Sequence, residues 1–489
     1  MRTSPRSIFK NATALMAANV FNLLGSFVLT FFIARMLQVT GFGIYATVFL
    51  FVTMTSIVSG LGISNYITRE LARDVSQTNR YFMHGFVITG MAALLFGVIL
   101  WLIIPLFGYE PETMLGVKII AFSLLPTAVG GVFDAIYITH QRSEFILWIN
   151  LIELAGKIAV SLTLLFSGYG PIALIVTFVL FRYVALAGHL FFMFRYIFRP
   201  AWEFDLHFAL KILNDLRTFA ALQVLTGSFD QIEIVFLSIF HGETAVGVYA
   251  AAFKLITLWN LLPENFMRVM FPLFSQAHTA SPDQFHRFQE KSTRYLMAMA
   301  MPLLAGTIVC ADSIIHFFYG DGYTASIPTL RILSLMIGII FLEEILWRIL
   351  VARDRQDAAL KAQIAGISGR VFFALLLIPA WSYIGTAWAM VIAFSIHTLI
   401  HIYYVHKVST PLPLLRLSWR YALAAVGMGV VLYFLNPHLP LLVTVSIGAV
   451  IYTGLVWLLK GFTAEDFDLL RRILHPRLEE AATAPTPGE

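Results

Sequence analysis

The chain has 489 residues, of which 59% are hydrophobic and only 12% charged, with a formal net charge of +5. Soluble domains carry roughly 45–50% apolar and about 25% charged residues, so the composition excludes an ordinary soluble enzyme and predicts a polytopic membrane protein. Cys310 is the only cysteine, which excludes an internal disulfide and argues against a thiolate metal site.

Apolar runs long enough to cross a ~30 Å hydrocarbon core recur along the chain. The basic start, Arg2, Arg6 and Lys10, leads into a run with no clear small-residue cleavage site, so the first segment is expected to stay as a helix. Six spans are predicted at 13–34, 43–63, 84–106, 117–138, 145–167 and 171–194. A connector over 200–217 mixes Trp202, Phe204, Leu206 and Phe208 with Glu203, Asp205 and Lys211, and reads as an amphipathic cytoplasmic segment. Six more spans follow at 218–240, 245–266, 295–318, 328–350, 358–380 and 383–405, then a pair at 418–435 and 440–460. Beyond them, Phe467, Leu470, Ile473 and Leu474 share one helical face, and the Ala/Pro/Thr tail after Glu480 is expected to be disordered.

The expected fold is therefore all-α, with about 14 transmembrane helices. It divides into an N-terminal six-helix lobe (1–199), the connector (200–217), a C-terminal six-helix lobe (218–407), an extra helix pair (408–460) and a cytoplasmic tail (461–489). Arg69, Arg73, Arg80, Arg142, Arg195, Arg199, Arg287, Lys291, Arg353, Arg355 and Lys407 fall in alternate loops, and the opposite loops are nearly free of Lys and Arg. This asymmetry places both termini in the cytoplasm and accounts for the basic charge without nucleic acid.

Two strings recur in order. Phe42-Gly43-Ile44-Tyr45-Ala46 matches Val246-Gly247-Val248-Tyr249-Ala250, and Gly156-Lys157-Ile158 matches Gly369-Arg370-Val371. An even number of spans per copy gives both copies the same orientation, related by an axis along the membrane normal.

Four cations interrupt the apolar runs: Lys157, Arg182, Lys254 and Arg370. A charge at the bilayer centre costs at least ~2.5–3.5 kcal/mol. At ~1.5 Å per residue, the turns at 167–170, 241–244 and near 382 put all four near the midplane, with Lys157 and Arg370 able to face each other across the axis. Two readings stand side by side. The cations are neutralised by buried carboxylates, as the i,i+4 spacing of Glu153 and Lys157 suggests, or they line a wet cavity for an anion. Arg182 and Arg370 have no carboxylate three or four residues away on their own helices, which favours the cavity. Asp134, Glu153, Asp230, Glu233, Glu343 and Glu344 are then candidate groups for coupling to H+ or Na+. Asn19, Asn22, Thr226, Gln231, Tyr249 and Asn260 are candidate polar or aromatic contacts for the cargo, with helix packing as the alternative. Catalytic spacings, Cys/His metal motifs and a Gly-rich phosphate loop are absent from the sequence, so no enzyme activity and no cofactor are expected.

Gly41 to Arg73 carries Phe42-Gly43-Ile44-Tyr45, Gly60-Leu61-Gly62-Ile63 and Arg69-Glu70-Leu71-Ala72. Together with the turn Gly168-Tyr169-Gly170-Pro171-Ile172-Ala173, this stretch resembles the Wzx-type polysaccharide transporters, the O-antigen and capsule flippases of the multidrug/oligosaccharidyl-lipid/polysaccharide exporter superfamily. Pro171-Ile172 departs from that family's turn. The resemblance implies alternating access between two lobes in the inner membrane. The implied cargo is an undecaprenyl-diphosphate-linked glycan, whose lipid tail stays in the membrane, and the implied partners are a polysaccharide polymerase and a chain-length regulator. A lipid II flippase is the runner-up, although span one offers Asn19 and Asn22 where that family has arginine. A multidrug extruder and a membrane glycan polymerase or ligase are weaker alternatives, because a basic midplane repels organic cations and the loops are short.

Overall fold

The computed structural model describes residues 5–60, 62–223, 227, 231–353, 355–409 and 411–461. Thr226, Asp230 and the C-terminal amphipathic segment lie outside the described residues. Among the described residues all regular structure is helical. In chain order the helices are α1 (Pro5–Gly60), α2 (Ile63–Arg73), α3 (Thr78–Ile103), α4 (Pro111–Ile120), α5 (Leu124–Thr139), α6 (Ser143–Phe166), α7 (Pro171–Tyr196) and α8 (Leu206–Gln223). Then come α9 (Ile232–Trp259), α10 (Leu261–Ala280), α11 (Pro282–Val309), α12 (Ala311–Tyr319), α13 (Ser326–Ala352), α14 (Gln356–Val408), α15 (Leu414–Leu435) and α16 (Leu441–Leu458).

Among the described residues nine helical stretches are long and apolar enough to cross a membrane, or ten if α11 and α12, bent by 77°, form one span. The hydropathy reading divides the chain more finely because three of these helices run through a break. α1 contains Gln38 (φ 58°), α9 contains Gly242 (φ 74°) and α14 contains Ser382 (φ 51°), each with non-helical torsions. The breaks fall where loops were expected between spans one and two, seven and eight, and eleven and twelve. The helix is interrupted there by a single residue of positive φ instead of a loop.

Contacts gather the chain into two compact units. The first comprises Met1–Lys254, Phe318–Thr329 and Gln363–His397, and the second Leu255–Phe317, Leu330–Ala362 and Thr398–Glu489. In the first unit α6 packs along α1 and α7, and α5 packs against α2, α3 and α7. One apolar cluster there holds Ile67, Leu71, Phe82, Phe133, Ile136 and Tyr137, and a second holds Val48, Ile104, Val117, Leu124 and Ile175. The connector helix α8 buries Ala209, Ile212 and Leu216 in the first cluster and leaves Leu206, Leu210 and Leu213 exposed, as an interfacial amphipathic helix does. Its entry is fixed to α3. Asn79 Nδ2 donates to the Ala201 carbonyl at 3.1 Å, and His84 Nε2 accepts from the Asp205 backbone N–H at 2.9 Å. In the second unit α11 packs on α15, α15 on α16 and α10 on α11. Cys310 is buried there beside Met428 and Leu432, and the Tyr452 hydroxyl donates to the Ala298 carbonyl at 2.7 Å.

The repeated strings meet inside the first unit. A Cβ on Gly43 would fall within the envelope of the Glu243 carbonyl oxygen, and a Cβ on Gly247 within that of the Val39 carbonyl oxygen. Each glycine thus packs on the residue four positions before the other, and only a residue without a side chain permits so close a backbone approach. Thr40 and Thr244, 204 residues apart and equivalent in the two copies, share a hydroxyl hydrogen bond of 3.0 Å. The Tyr109 hydroxyl bonds to Ser238 Oγ at 2.7 Å, and the Tyr323 hydroxyl donates to the Ala34 carbonyl at 2.8 Å. Ser238 and Ala34 occupy the same place in the two copies, each four residues before its break. Reciprocal contacts of this kind are what a twofold relation produces. Tyr249 belongs to this packing. It is fully buried and stacks on Phe253, in keeping with the packing alternative to a ligand contact.

Candidate functional site

A tight turn sets the register between α6 and α7. Gly168 (φ 82°) donates to the Leu165 carbonyl and Tyr169 to the Leu164 carbonyl, both at 3.0 Å, forming the paired bonds of a Schellman closure. Pro171 then opens α7 at a position that needs no N–H donor. From this turn the two helices run back antiparallel, and about eleven residues on either side bring Lys157 and Arg182 to equal depth, ~16 Å from the turn. At that level Gly156 lies against the Phe181 ring, so closely that a Cβ there would overlap it. The absent side chain lets α7 approach α6 where the two cations stand.

The cations share a single carboxylate. Lys157 Nζ lies 3.7 Å from Glu153 Oε1, and Arg182 Nη1 lies 3.4 Å from Glu153 Oε2. Both also flank one aromatic face, with Lys157 Nζ 5.3 Å and Arg182 Cζ 5.1 Å from the Phe178 ring centroid. The side chain of Glu153 is 7% exposed, Lys157 15% and Arg182 32%, so the arginine head is the most open part of the cluster. Arg182 therefore does have a carboxylate partner, on the neighbouring helix. Asp134, on α5, lies within electrostatic reach of Arg182 and Glu153. Its Oδ1 and Arg182 Nε are buried without hydrogen-bond partners among the described residues. His189, about two turns further along α7, stacks on Phe133 and Tyr137 with centroids 5.4 and 5.7 Å away and is a packing residue.

The other expected residues divide as follows. Among the described residues Lys157 and Arg182 contact Glu153 and Phe178. Arg370 lies with its Cζ 5.7 Å from the Phe394 centroid, and Arg370 and Glu233 both act electrostatically on the Tyr249 hydroxyl. Lys254 follows Tyr249 by about one and a half turns on α9 and is half-buried. The half-exposed Asn22 accepts a hydrogen bond at its carbonyl from Ser26 Oγ, and Gln231, also half-exposed, precedes α9. In the second unit Glu344 Oε1 is held by Arg348 Nη2 at 2.6 Å, and Glu343 is bonded to Thr398 and His401. Phe178, Arg348, Thr398 and His401 were missed by sequence reasoning. The i,i+4 spacings of Phe178 with Arg182 and Glu344 with Arg348 were available signals.

Comparison with known proteins places this site in context. Residues 32–328, more than half of the chain, match the family described as polysaccharide biosynthesis protein. The succinoglycan biosynthesis transport protein ExoT of Rhizobium meliloti is 25% identical over 95% of both chains. The probable low-salt glycan biosynthesis flippase Agl15 of Haloferax volcanii is 21% identical over 50% of this chain, which spans only 54% of that relative's length. The structure of lipid II flippase MurJ in an inward closed conformation superposes with a TM-score of 0.76 at 14% identity, covering 94% of this chain and 98% of that one, a likeness of fold. A multidrug resistance transporter of the MATE family superposes with a TM-score of 0.64 over 81% of this chain. The chain is a multi-pass membrane protein that belongs to the polysaccharide biosynthesis protein family.

Proposed function

We propose that the chain is a flippase that moves an undecaprenyl-diphosphate-linked oligosaccharide from the cytoplasmic to the outer leaflet of the inner membrane by alternating access, with both termini in the cytoplasm. The observation that carries this reading is the Lys157–Glu153–Arg182 cluster, in which two cations near mid-membrane depth share one carboxylate. A buried pair that served packing alone would be balanced one to one, since an uncompensated charge in a low dielectric is costly. Two cations paired with one carboxylate leave a positive charge for a ligand; Asp134, within electrostatic reach, makes no ion pair with either cation among the described residues.

A diphosphate suits this arrangement. The guanidinium offers paired donors to phosphate oxygens, and the ammonium adds a point charge beside it. Phe178 holds both heads in place, so little side-chain entropy is lost on binding. The transport names of the relatives support the cargo class, and the short loops leave no room for a catalytic domain. Lys254, Arg370, Asn22 and Gln231 are assigned to the later path of the head group and glycan.

Arg182→Ala and Lys157→Ala are each expected to lower translocation of a fluorescent undecaprenyl-diphosphate disaccharide in reconstituted vesicles by about tenfold or more, equivalent to ~1.4 kcal/mol per decade. Arg182→Lys should recover only part of that rate. Unchanged rates in both alanine variants, at normal protein levels, would remove the cluster from the mechanism.

A further inference from the structure

The second unit contains a buried carboxylate whose oxygens are both engaged by α14. Thr398 Oγ1 donates to Glu343 Oε2 at 2.9 Å, and His401 Nδ1 shares a hydrogen bond with Glu343 Oε1. Thr398 and His401 are three residues apart, the spacing that places two side chains on one helical face. His401 is 1% exposed and the Glu343 side chain 12%. Glu343 stands nine residues from the end of α13 and His401 seven from the end of α14, so the pair lies ~10–14 Å inside the helix ends. Among the described residues, the nearby charged and titratable groups include Glu344, paired with Arg348 on α13, His397 one turn earlier on α14, and the Glu264–Arg268 pair on α10. The Trp347 ring lies 6.4 Å from the imidazole and closes one side.

A structural brace needs no titratable pair here. An amide and a hydroxyl would supply the same hydrogen bonds without the desolvation cost of a buried ion pair. What a carboxylate and an imidazole add is the capacity to share one proton or give it up, which an amide and a hydroxyl lack. With the proton bound the pair is a neutral imidazolium–carboxylate; without it the pair carries one negative charge. Sodium is a poorer fit. Hard cations take a shell of oxygens, whereas one carboxylate oxygen here is occupied by a ring nitrogen.

We propose that Glu343, Thr398 and His401 form a proton-binding site that couples the flippase cycle to the proton gradient. This rests on the transport reading above, but the site is in the other unit from the Lys157–Arg182 cluster and is tested separately. The purified full-length chain, Glu343→Gln, His401→Asn and Thr398→Val are first titrated between pH 5 and 8. His401→Asn is expected to bind about one proton fewer than the parent. In vesicles, an imposed gradient of one pH unit should change the parent rate for the fluorescent diphosphate disaccharide about fivefold. Glu343→Gln and His401→Asn should lose that response. Thr398→Val keeps the pair and should only shift the midpoint of the pH–rate profile, which preserves the test if either stronger variant does not fold. A full gradient response in Glu343→Gln or His401→Asn, a sodium gradient that substitutes for protons, or no missing proton in the titration would overturn the proposal. If the disaccharide is not the cargo, no variant moves it, yet the titration difference persists.

Discussion

Glu153 holds the polar centre of the first unit, because both cations depend on it. Removing it by Glu153→Ala leaves two largely buried cations without their carboxylate, and breaking such pairs costs about 3–5 kcal/mol. A lowered melting temperature in detergent is the expected outcome. Arg182→Ala leaves Glu153 still paired with Lys157 and should shift melting far less, so the two variants separate stability from transport. At the turn after α2, Asp74 accepts hydrogen bonds from the Ser76 side chain, Gln77 and the Ser76 backbone, which hold its carboxyl below the usual carboxylate range. A depressed carboxylate stabilises above its unfolded pKa of about 3.9 and loses that contribution as pH falls through the folded value. Amide exchange at residues 75–77 should therefore rise only below about pH 4, and Asp74→Asn should flatten the rise. The Lys157–Glu153 pairing is legible in sequence, because i,i+4 neighbours meet on any helix. Arg182's share of Glu153 is not, since it depends on the depth register fixed by the Schellman turn and on the Gly156–Phe181 approach.

Between helices, the seam at Gly43 and Gly247 is the tightest approach described. Gly43→Val or Gly247→Val must push the two copies apart, and overpacking of this kind costs about 1–3 kcal/mol or more. Gly454 in α16 is a useful control, with no atom within 4 Å of its would-be Cβ. There, Gly454→Ala should raise helix stability by about 0.5–1 kcal/mol, measured as a small gain in melting temperature. The breaks at Gln38, Gly242 and Ser382 explain how element boundaries escape a sequence reading. Gly242 signals a residue of positive φ, whereas Gln38 and Ser382 adopt φ near 50–60° without glycine, and tertiary packing alone selects it. Hydropathy finds the spans on either side because the apolar runs end there. It cannot tell a one-residue break from a loop.

Across the whole chain, the repeated strings and the reciprocal contacts they make tie the first copy to the second at Thr40–Thr244, Tyr109–Ser238 and Tyr323–Ala34. The proposed alternating access requires this seam to part during the cycle. Cysteines placed at Thr40 and Thr244, with Cys310→Ser removing the native thiol, are close enough to cross-link. Oxidation is expected to stop translocation and reduction to restore it, whereas transport through an oxidised seam would exclude separation of these turns. The class was legible because it is written in the hydropathy of the apolar runs. The Glu343–His401 pair was only half visible, as its two members are 58 residues apart and meet through helix packing.

The central claim is that a cationic pair sharing one carboxylate selects a diphosphate head group. Its most direct measurement is the rate at which reconstituted protein moves three probes with the same polyprenyl chain and disaccharide, joined by a diphosphate, a monophosphate or an uncharged linker. The diphosphate probe should move about tenfold or more faster than the monophosphate probe in the parent, and Arg182→Ala should narrow that ratio toward one. Equal rates for all three linkers, or a ratio unchanged by Arg182→Ala, would contradict it.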